Sequence, residues 1–244
     1  MGTAIVITSG QGGTGKTSLT GGIAAALSKL GKSVLCIDMD IGLRNLDISL
    51  GLNDRALMDF TDVAEGRCPL SRAAVQHPNL PGLFLLTAPM SLSPTLKKED
   101  VRALLNTART YYDYILIDSP AGLGTGFQLA TCGADRALVV ATNDATSLRD
   151  AQRTVMELSH FPRGAVHLAV GRVQKKMLRA LHTTIDDAID TAGLPLIGVI
   201  PEDSDVPAAL NRGIALRDFN YYAARAYENI ARRLSGEKVS LMRI

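Results

Sequence analysis

Residues 10–17 read Gly-Gln-Gly-Gly-Thr-Gly-Lys-Thr and match the pattern G-x-x-x-x-G-K-[ST]. No other stretch limits the fold so strongly. Glycine reaches backbone conformations closed to other residues, so successive N–H groups of such a loop can turn inward around the oxygens of an anion. The loop works where a strand delivers it and a helix leaves it. The helix N-terminus then adds unpaired N–H groups and the positive end of its dipole. Both flanks comply: residues 3–9 are a short β-rich apolar run, and residues 17–30 carry a helical pattern that stops at Gly31. In this setting Lys16 reaches the β- and γ-phosphates of a nucleotide, and the Thr17 hydroxyl holds Mg²⁺. The alternative, a glycine-rich turn with a solvated lysine, does not need that placement.

Short apolar runs recur at residues 33–38, 83–87, 114–118, 137–141, 166–170 and 196–200. Longer amphipathic stretches lie between most of them, including residues 148–161 and 177–192. Strands alternating with helices predict an α/β fold: a mostly parallel twisted sheet with helices on both faces. No linker, tandem repeat or low-complexity tract interrupts the 244 residues, so one domain is expected. Three runs end in Gly10–Thr17, in Asp38-Met39-Asp40 and in Asp118-Ser119-Pro120. Ligands of open α/β sheets bind beyond the carboxyl ends of the strands, where these segments should meet.

Asp118, at the end of an apolar strand, has the form of a carboxylate that positions a metal. Asp38 and Asp40 flank Met39 at another strand end, where a carboxylate can hold the metal or orient an attacking water. Aspartates at strand ends also cap turns and helices, which is the plainer reading of all three. His77, His160, His167 and His182 have no metal-ligand spacing. Cys36, Cys68 and Cys132 offer no CxxC pair or disulfide framework, and Cys36 reads as a small packed hydrophobe. Arg172, Lys175, Lys176 and Arg179 form a basic cluster that reads as a solvated face, and Tyr221 and Tyr222 read as packing residues. The net charge of +2 carries no strong signal for a nucleic-acid partner. No stretch reaches the apolar length of a spanning helix, and the N-terminus enters a strand directly, which together predict a cytoplasmic protein.

The extra glycines of the loop, the stretch Asp38-Met39-Asp40-Ile41-Gly42-Leu43-Arg44-Asn45-Leu46-Asp47, Asp118-Ser119-Pro120-Ala121-Gly122, Ser147-Leu148-Arg149-Asp150 and Gly198-Val199-Ile200-Pro201-Glu202-Asp203 together resemble the MinD/ParA family of deviant Walker A ATPases. The resemblance runs from about residue 3 to residue 237, and its Ile-Gly-Leu-Arg-Asn-Leu-Asp stretch points to the division-site branch of that family. It implies a P-loop ATPase that takes ATP or ADP with Mg²⁺, forms a homodimer with ATP, and acts on septum placement. Its partners would be a MinC-like division inhibitor and a topological regulator that meet the region 147–150, with peripheral membrane binding and no specific nucleic acid. Nucleotide-binding residues are then expected at Gly10, Gln11, Gly12, Gly13, Thr14, Gly15, Lys16, Thr17 and Ser18, with Arg172, Pro201, Glu202 and Asp203 towards the base. Thr17, Asp38 and Asp118 are the expected metal residues. Lys16, Asp40 and Gln11 are those expected to bear on hydrolysis.

Three departures from the family pattern matter. Gln11 stands where the signature lysine is usual, which predicts slow hydrolysis and poor dimerisation. Gly171 stands where asparagine usually contacts the base. Residues 238–244 form a short tail, expected to bind membranes weakly because its apolar side chains scatter around a helix. Two other functions compete. A DNA-partitioning ATPase of the ParA kind would use Lys175, Lys176 and Arg179. An iron–sulfur carrier would need cysteines that meet across a dimer. A GTPase is disfavoured because no Asn-Lys-x-Asp tetrad is present.

Overall fold

The protein was analysed as a computed structural model, in which residues 1–53, 55–211 and 222–242 are described. Tyr221, Arg243 and Ile244 lie outside the described residues. The strands are β1 (Thr3–Thr8), β2 (Val34–Asp38), β3 (Val75–His77), β4 (Leu80–Leu86), β5 (Tyr114–Asp118), β6 (Arg136–Ala141), β7 (Val166–Val173) and β8 (Leu196–Pro201). They form one sheet in the order β3-β4-β2-β5-β1-β6-β7-β8. Every neighbouring pair is parallel except β3 with β4. The helices are α1 (Lys16–Lys29), α2 (Leu46–Ser49), α3 (Phe60–Ala64), α4 (Leu70–Ala73), α5 (Lys98–Ala108), α6 (Thr125–Thr131), α7 (Ala145–Glu157), α8 (Lys175–Leu181), α9 (Ile185–Ala192), α10 (Asp205–Asn211) and α11 (Tyr222–Leu234).

The uninterrupted apolar runs have a direct cause: both faces of the sheet are buried. In β1, Ala4 and Val6 join one core cluster while Ile5 and Ile7 join the other. β6 repeats the pattern, with Ala137, Val139 and Ala141 on one side and Leu138 and Val140 on the opposite side. Side chains alternate across a strand, so a strand covered on both faces cannot show a polar alternate. The first cluster takes apolar residues from α5, α6, α7 and α9, the second from α1 and α11.

Gly22 and Gly198 set how closely α11 can lie. A Cβ on Gly22 would stand 2.4 Å from the Tyr227 ring, and one on Gly198 would stand 2.5 Å from Ile230. The last helix therefore rests directly on α1 and β8.

Two details go beyond the apolar pattern. Residues 177–192 fall on two helices. α8 ends at His182, whose φ is 51°, and α9 starts from a capping box in which the Thr184 side chain accepts from the Asp187 N–H. The local cap supplies the new start, and the apolar periodicity on either side hides it. The run at 83–87 belongs to the longer β4, which pairs with a short antiparallel β3 that has too few residues to leave a pattern.

Candidate functional site

β1 ends at Thr8, and the loop that follows lies at the carboxyl edge of the sheet, between β5 and β6. Gly13 and Gly15 have φ of 78° and 95°, the left-handed region open to glycine. A Cβ on Gly12, Gly13 or Gly15 would meet nothing within 4 Å, so these positions border open space. Gly15 is also the N-cap of α1, which has no acidic residue in its first turn to occupy its positive end. The Thr14 Oγ1 atom is buried without a hydrogen-bond partner. A ligand oxygen reaching this part of the loop can complete it. These features fit a bound phosphate chain.

Lys16 is 7% exposed, and it lines a cavity of about 670 Å³ together with Gly12 to Leu19, Asp40, Pro120, Ala121, Gly171, Arg172 and Pro201 to Asp203. The three chain segments expected at one edge do meet there. Gly10 and Gln11 lie outside that lining. Gly10 instead touches α7: a Cβ there would stand 2.6 Å from both Cβ and O of Asp150. Gln11 is half-buried, and its backbone carbonyl accepts the Ser9 hydroxyl at 2.6 Å.

The Thr17 hydroxyl donates to Asp118 Oδ2 at 2.7 Å, and the Thr20 hydroxyl lies 3.2 Å from Asp118 Oδ1. Burial pushes the Asp118 carboxyl up to about 6, against the opposing hydrogen bond from Thr17 and the charge of Lys16. Among the described residues no cluster of three or more His, Cys, Asp and Glu side chains could hold a metal. The Thr17–Asp118 pair instead fits Mg²⁺, which keeps much of its water and binds through one or two protein groups plus phosphate oxygens.

Asp38 takes a different place from the one expected of a metal ligand. Its Oδ1 accepts from the Asp40 N–H at 2.9 Å and its Oδ2 from the Leu46 N–H at 3.2 Å, so it pins the segment after β2. It faces Asp118 in the strand register, and burial, then that neighbour's charge, push it up to about 7. Asp40 does line the cavity. Burial raises its pKa, opposed by the positive charge of Lys16.

At the far end of the cavity, Arg172 donates from Nε to Glu202 Oε2 at 2.9 Å and from Nη1 to the Gly13 carbonyl at 3.0 Å. Asp203 accepts from the N–H groups of Asp205 and Ala223, at 3.0 and 3.1 Å, and so ties α10 and α11 together. A Cβ on Gly171 would stand 2.9 Å from the Thr14 carbonyl oxygen, which leaves no room there for the asparagine usual in the family. Sequence reasoning missed Tyr227, Val140 and Ile200 in the cavity wall. Gly22 and Gly198, interior glycines of a helix and a strand, were the signals of close approach that could have led to α11.

Other candidates lie elsewhere. Lys175, Lys176 and Arg179 are exposed on α8. Arg44 has φ 47° and a buried Nε without a partner, and it does not line the cavity. Cys36 is fully buried, and its thiol is pushed up by burial, then by Asp118 and Asp38, as an inert packing residue requires. In the tail, Arg233 donates to the carbonyls of Val239 and Ser240 at 3.1 and 2.7 Å, so this part is tied back and is not helical.

A glycine cradle at the head of a helix, a buried lysine and a hydroxyl–carboxylate pair, on a parallel sheet, define a P-loop nucleoside triphosphatase. The family model of the CobQ/CobB/MinD/ParA nucleotide binding domain matches residues 5–216, and the chain belongs to this family of ATPases, with ATP or ADP and Mg²⁺ as its cofactors. Within the family it is similar to septum site-determining protein MinD. The Helicobacter pylori protein of that name is 40% identical over 248 residues, covering 98% of this chain and 92% of that one. A chain of the MinC:MinD cell division protein complex of Aquifex aeolicus superposes with a TM-score of 0.91 at 40% identity, covering 99% of this chain and 98% of that one. MinD complexed with Mg-ADP from Pyrococcus horikoshii gives 0.82 at 26% identity, with 96% of each chain covered.

Proposed function

We propose that this chain is an ATP-driven switch that helps place the division septum, bound to its own copy when ATP is present and free of it with ADP. The observation that supports it is the cavity edge. Lys16, the Thr17–Asp118 pair and Asp40 converge where phosphates would lie, while Pro120 and Ala121 of the segment after β5 border the same space. A segment in that position can sense a γ-phosphate and change order on its loss. In this reading Lys16 binds the phosphates, Asp40 orients the attacking water, and Thr17 with Asp118 holds Mg²⁺. A cation about 4 Å from a phosphate oxygen contributes on the order of 4 kcal/mol at an effective dielectric near 20, before desolvation. Gln11 can supply a neutral hydrogen bond of roughly 1 kcal/mol but no charge, so dimerisation is weak and hydrolysis slow.

The same reading gives the chain a MinC-like division inhibitor and a topological regulator as partners, meeting the start of α7. Among the described residues no helix is long and apolar enough to cross a membrane. In the same reading membrane contact is peripheral, from a cytoplasmic location. The test is the mass of the protein in solution with ATP and with ADP, repeated over anionic vesicles. The same pair of measurements is made on Gln11→Lys, and a mass that is the same with both nucleotides in that variant as well as in the wild type, together with no nucleotide-dependent vesicle binding by either, would refute the switch.

A further inference from the structure

Arg172 combines three local peculiarities that the cavity lining alone does not explain. It lies in β7 where the pairing with β8 slips. Val170 faces Val199 and Val173 faces Pro201, so three steps on β7 oppose two on β8. One extra residue in a strand is a bulge, a device that re-aims a side chain and is common beside active sites. Arg172 also has φ 54°, a conformation that residues with a Cβ rarely adopt. Finally, the neighbouring Gly171 brings this bend within contact of the Thr14 carbonyl.

The bend delivers the guanidinium to two partners far apart in the chain. Nε and Nη2 donate to Glu202 Oε2 and Oε1 at 2.9 and 3.3 Å, a two-pronged pairing that fixes the plane of the group. Nη1 is thereby aimed at the Gly13 carbonyl, 3.0 Å away. In a trans peptide the C=O of one residue and the N–H of the next point in opposite directions, and no cis peptide is present among the described residues. We propose that Arg172, oriented by Glu202, is a positioning residue of the phosphate loop: by holding the Gly13 carbonyl outward, it keeps the Thr14 N–H turned into the phosphate cradle. It acts through the loop, without needing to touch the nucleotide. The inference rests on the nucleotide-binding reading of the loop and adds a reason for the bulge, the left-handed residue and the ion pair together.

Free glycine-rich loops sample many backbone states, and a ligand that must select one of them loses affinity in proportion to the population of the competent state. Releasing the Gly13 carbonyl should therefore weaken nucleotide binding while leaving the sheet intact. The Arg172 side chain is 56% exposed, so the effect is moderate, about tenfold in Kd. Lysine can reach a carbonyl but cannot pair with both oxygens of Glu202, so Arg172→Lys should fall between.

The experiment compares wild type, Arg172→Ala, Arg172→Lys and Glu202→Gln, measuring the Kd for Mg-ADP by calorimetry and the melting temperature without nucleotide. The expected result is a Kd about tenfold weaker for Arg172→Ala, a smaller loss for the other two, and unliganded melting temperatures close to wild type. Wild-type affinity in Arg172→Ala overturns the inference alone. An unliganded melting temperature that falls by several degrees in Arg172→Ala, with Arg172→Lys no better, overturns it in favour of simple support of the fold. A wild-type chain that binds no Mg-ADP overturns the nucleotide reading and the inference with it.

Discussion

Replacing Gly10 by alanine would put a methyl carbon where α7 already stands. The new Cβ would lie 2.6 Å from Asp150 Cβ, 2.6 Å from its carbonyl oxygen and 2.8 Å from its carbonyl carbon. Carbon pairs settle at about 3.5–4.0 Å, so the overlap is roughly 1 Å. Two of the three atoms are backbone and cannot swing aside. Either α7 retreats or the phosphate loop is pushed outward. Overpacking of this kind costs about 1–3 kcal/mol, and each kcal/mol lowers the melting temperature by about 2–4 °C in a chain of this size. If the loop yields instead, it misplaces its N–H donors. Loss of one charge-assisted hydrogen bond, about 1.5–3 kcal/mol, weakens Mg-ADP binding tenfold or more. The assay pairs the urea midpoint of the unliganded protein with Mg-ADP calorimetry. Gly12→Ala serves as the control for unliganded stability, since its Cβ would meet nothing within 4 Å. A Gly10→Ala protein with both the midpoint and the affinity of wild type would refute the steric argument.

Lys16→Ala should abolish Mg-ADP and Mg-ATP binding while circular dichroism shows the fold intact, and retained affinity would remove Lys16 from its role. Gln11→Lys should strengthen ATP-dependent dimerisation and speed hydrolysis, read together by light scattering and phosphate release. A variant that gains neither shows that the missing cation is not what limits this chain. Asp118, held near 6 against an unfolded value near 3.9, binds its proton more tightly in the folded state. Its contribution to stability is thus fully present below about pH 4 and is lost as pH rises through about 6. Asp118→Asn, whose hydroxyl partners can rotate to suit an amide, should make the unliganded protein more stable than wild type at pH 7–8. That advantage should shrink towards pH 4 in urea melts, and a difference that stays constant with pH would contradict it.

The legible parts of this molecule are those where chemistry acts over a few consecutive residues. The phosphate loop could be read because its backbone dihedrals demand glycine at fixed positions. The central strands could be read because burial on both faces leaves no polar alternate, as in Ile115, Leu116 and Ile117 of β5. Where distant residues decide, the sequence was silent. Asp38 ended at a strand tip like Asp118, yet its role is set by the Leu46 N–H eight residues on. The Arg172–Gly13 contact spans 159 positions, and no local pattern marks it. The break at His182 was missed because the apolar spacing continues across it, although Thr184 and Asp187 form a recognisable cap.

The close seat of α11 on α1 also sets an order of events during synthesis. The loop leaves the ribosome early, but Tyr227, which lines the same cavity, follows roughly two hundred residues later. At about 5–20 residues per second, that delay is roughly 10–40 s. β1 spends part of that interval without its neighbours, since β5 and β6 that flank it end at residues 118 and 141. Until then its apolar faces and edges stand open to other chains. The wall that Tyr227 supplies is therefore the last side of the cavity to be made, and Gly22 is the position that seats it.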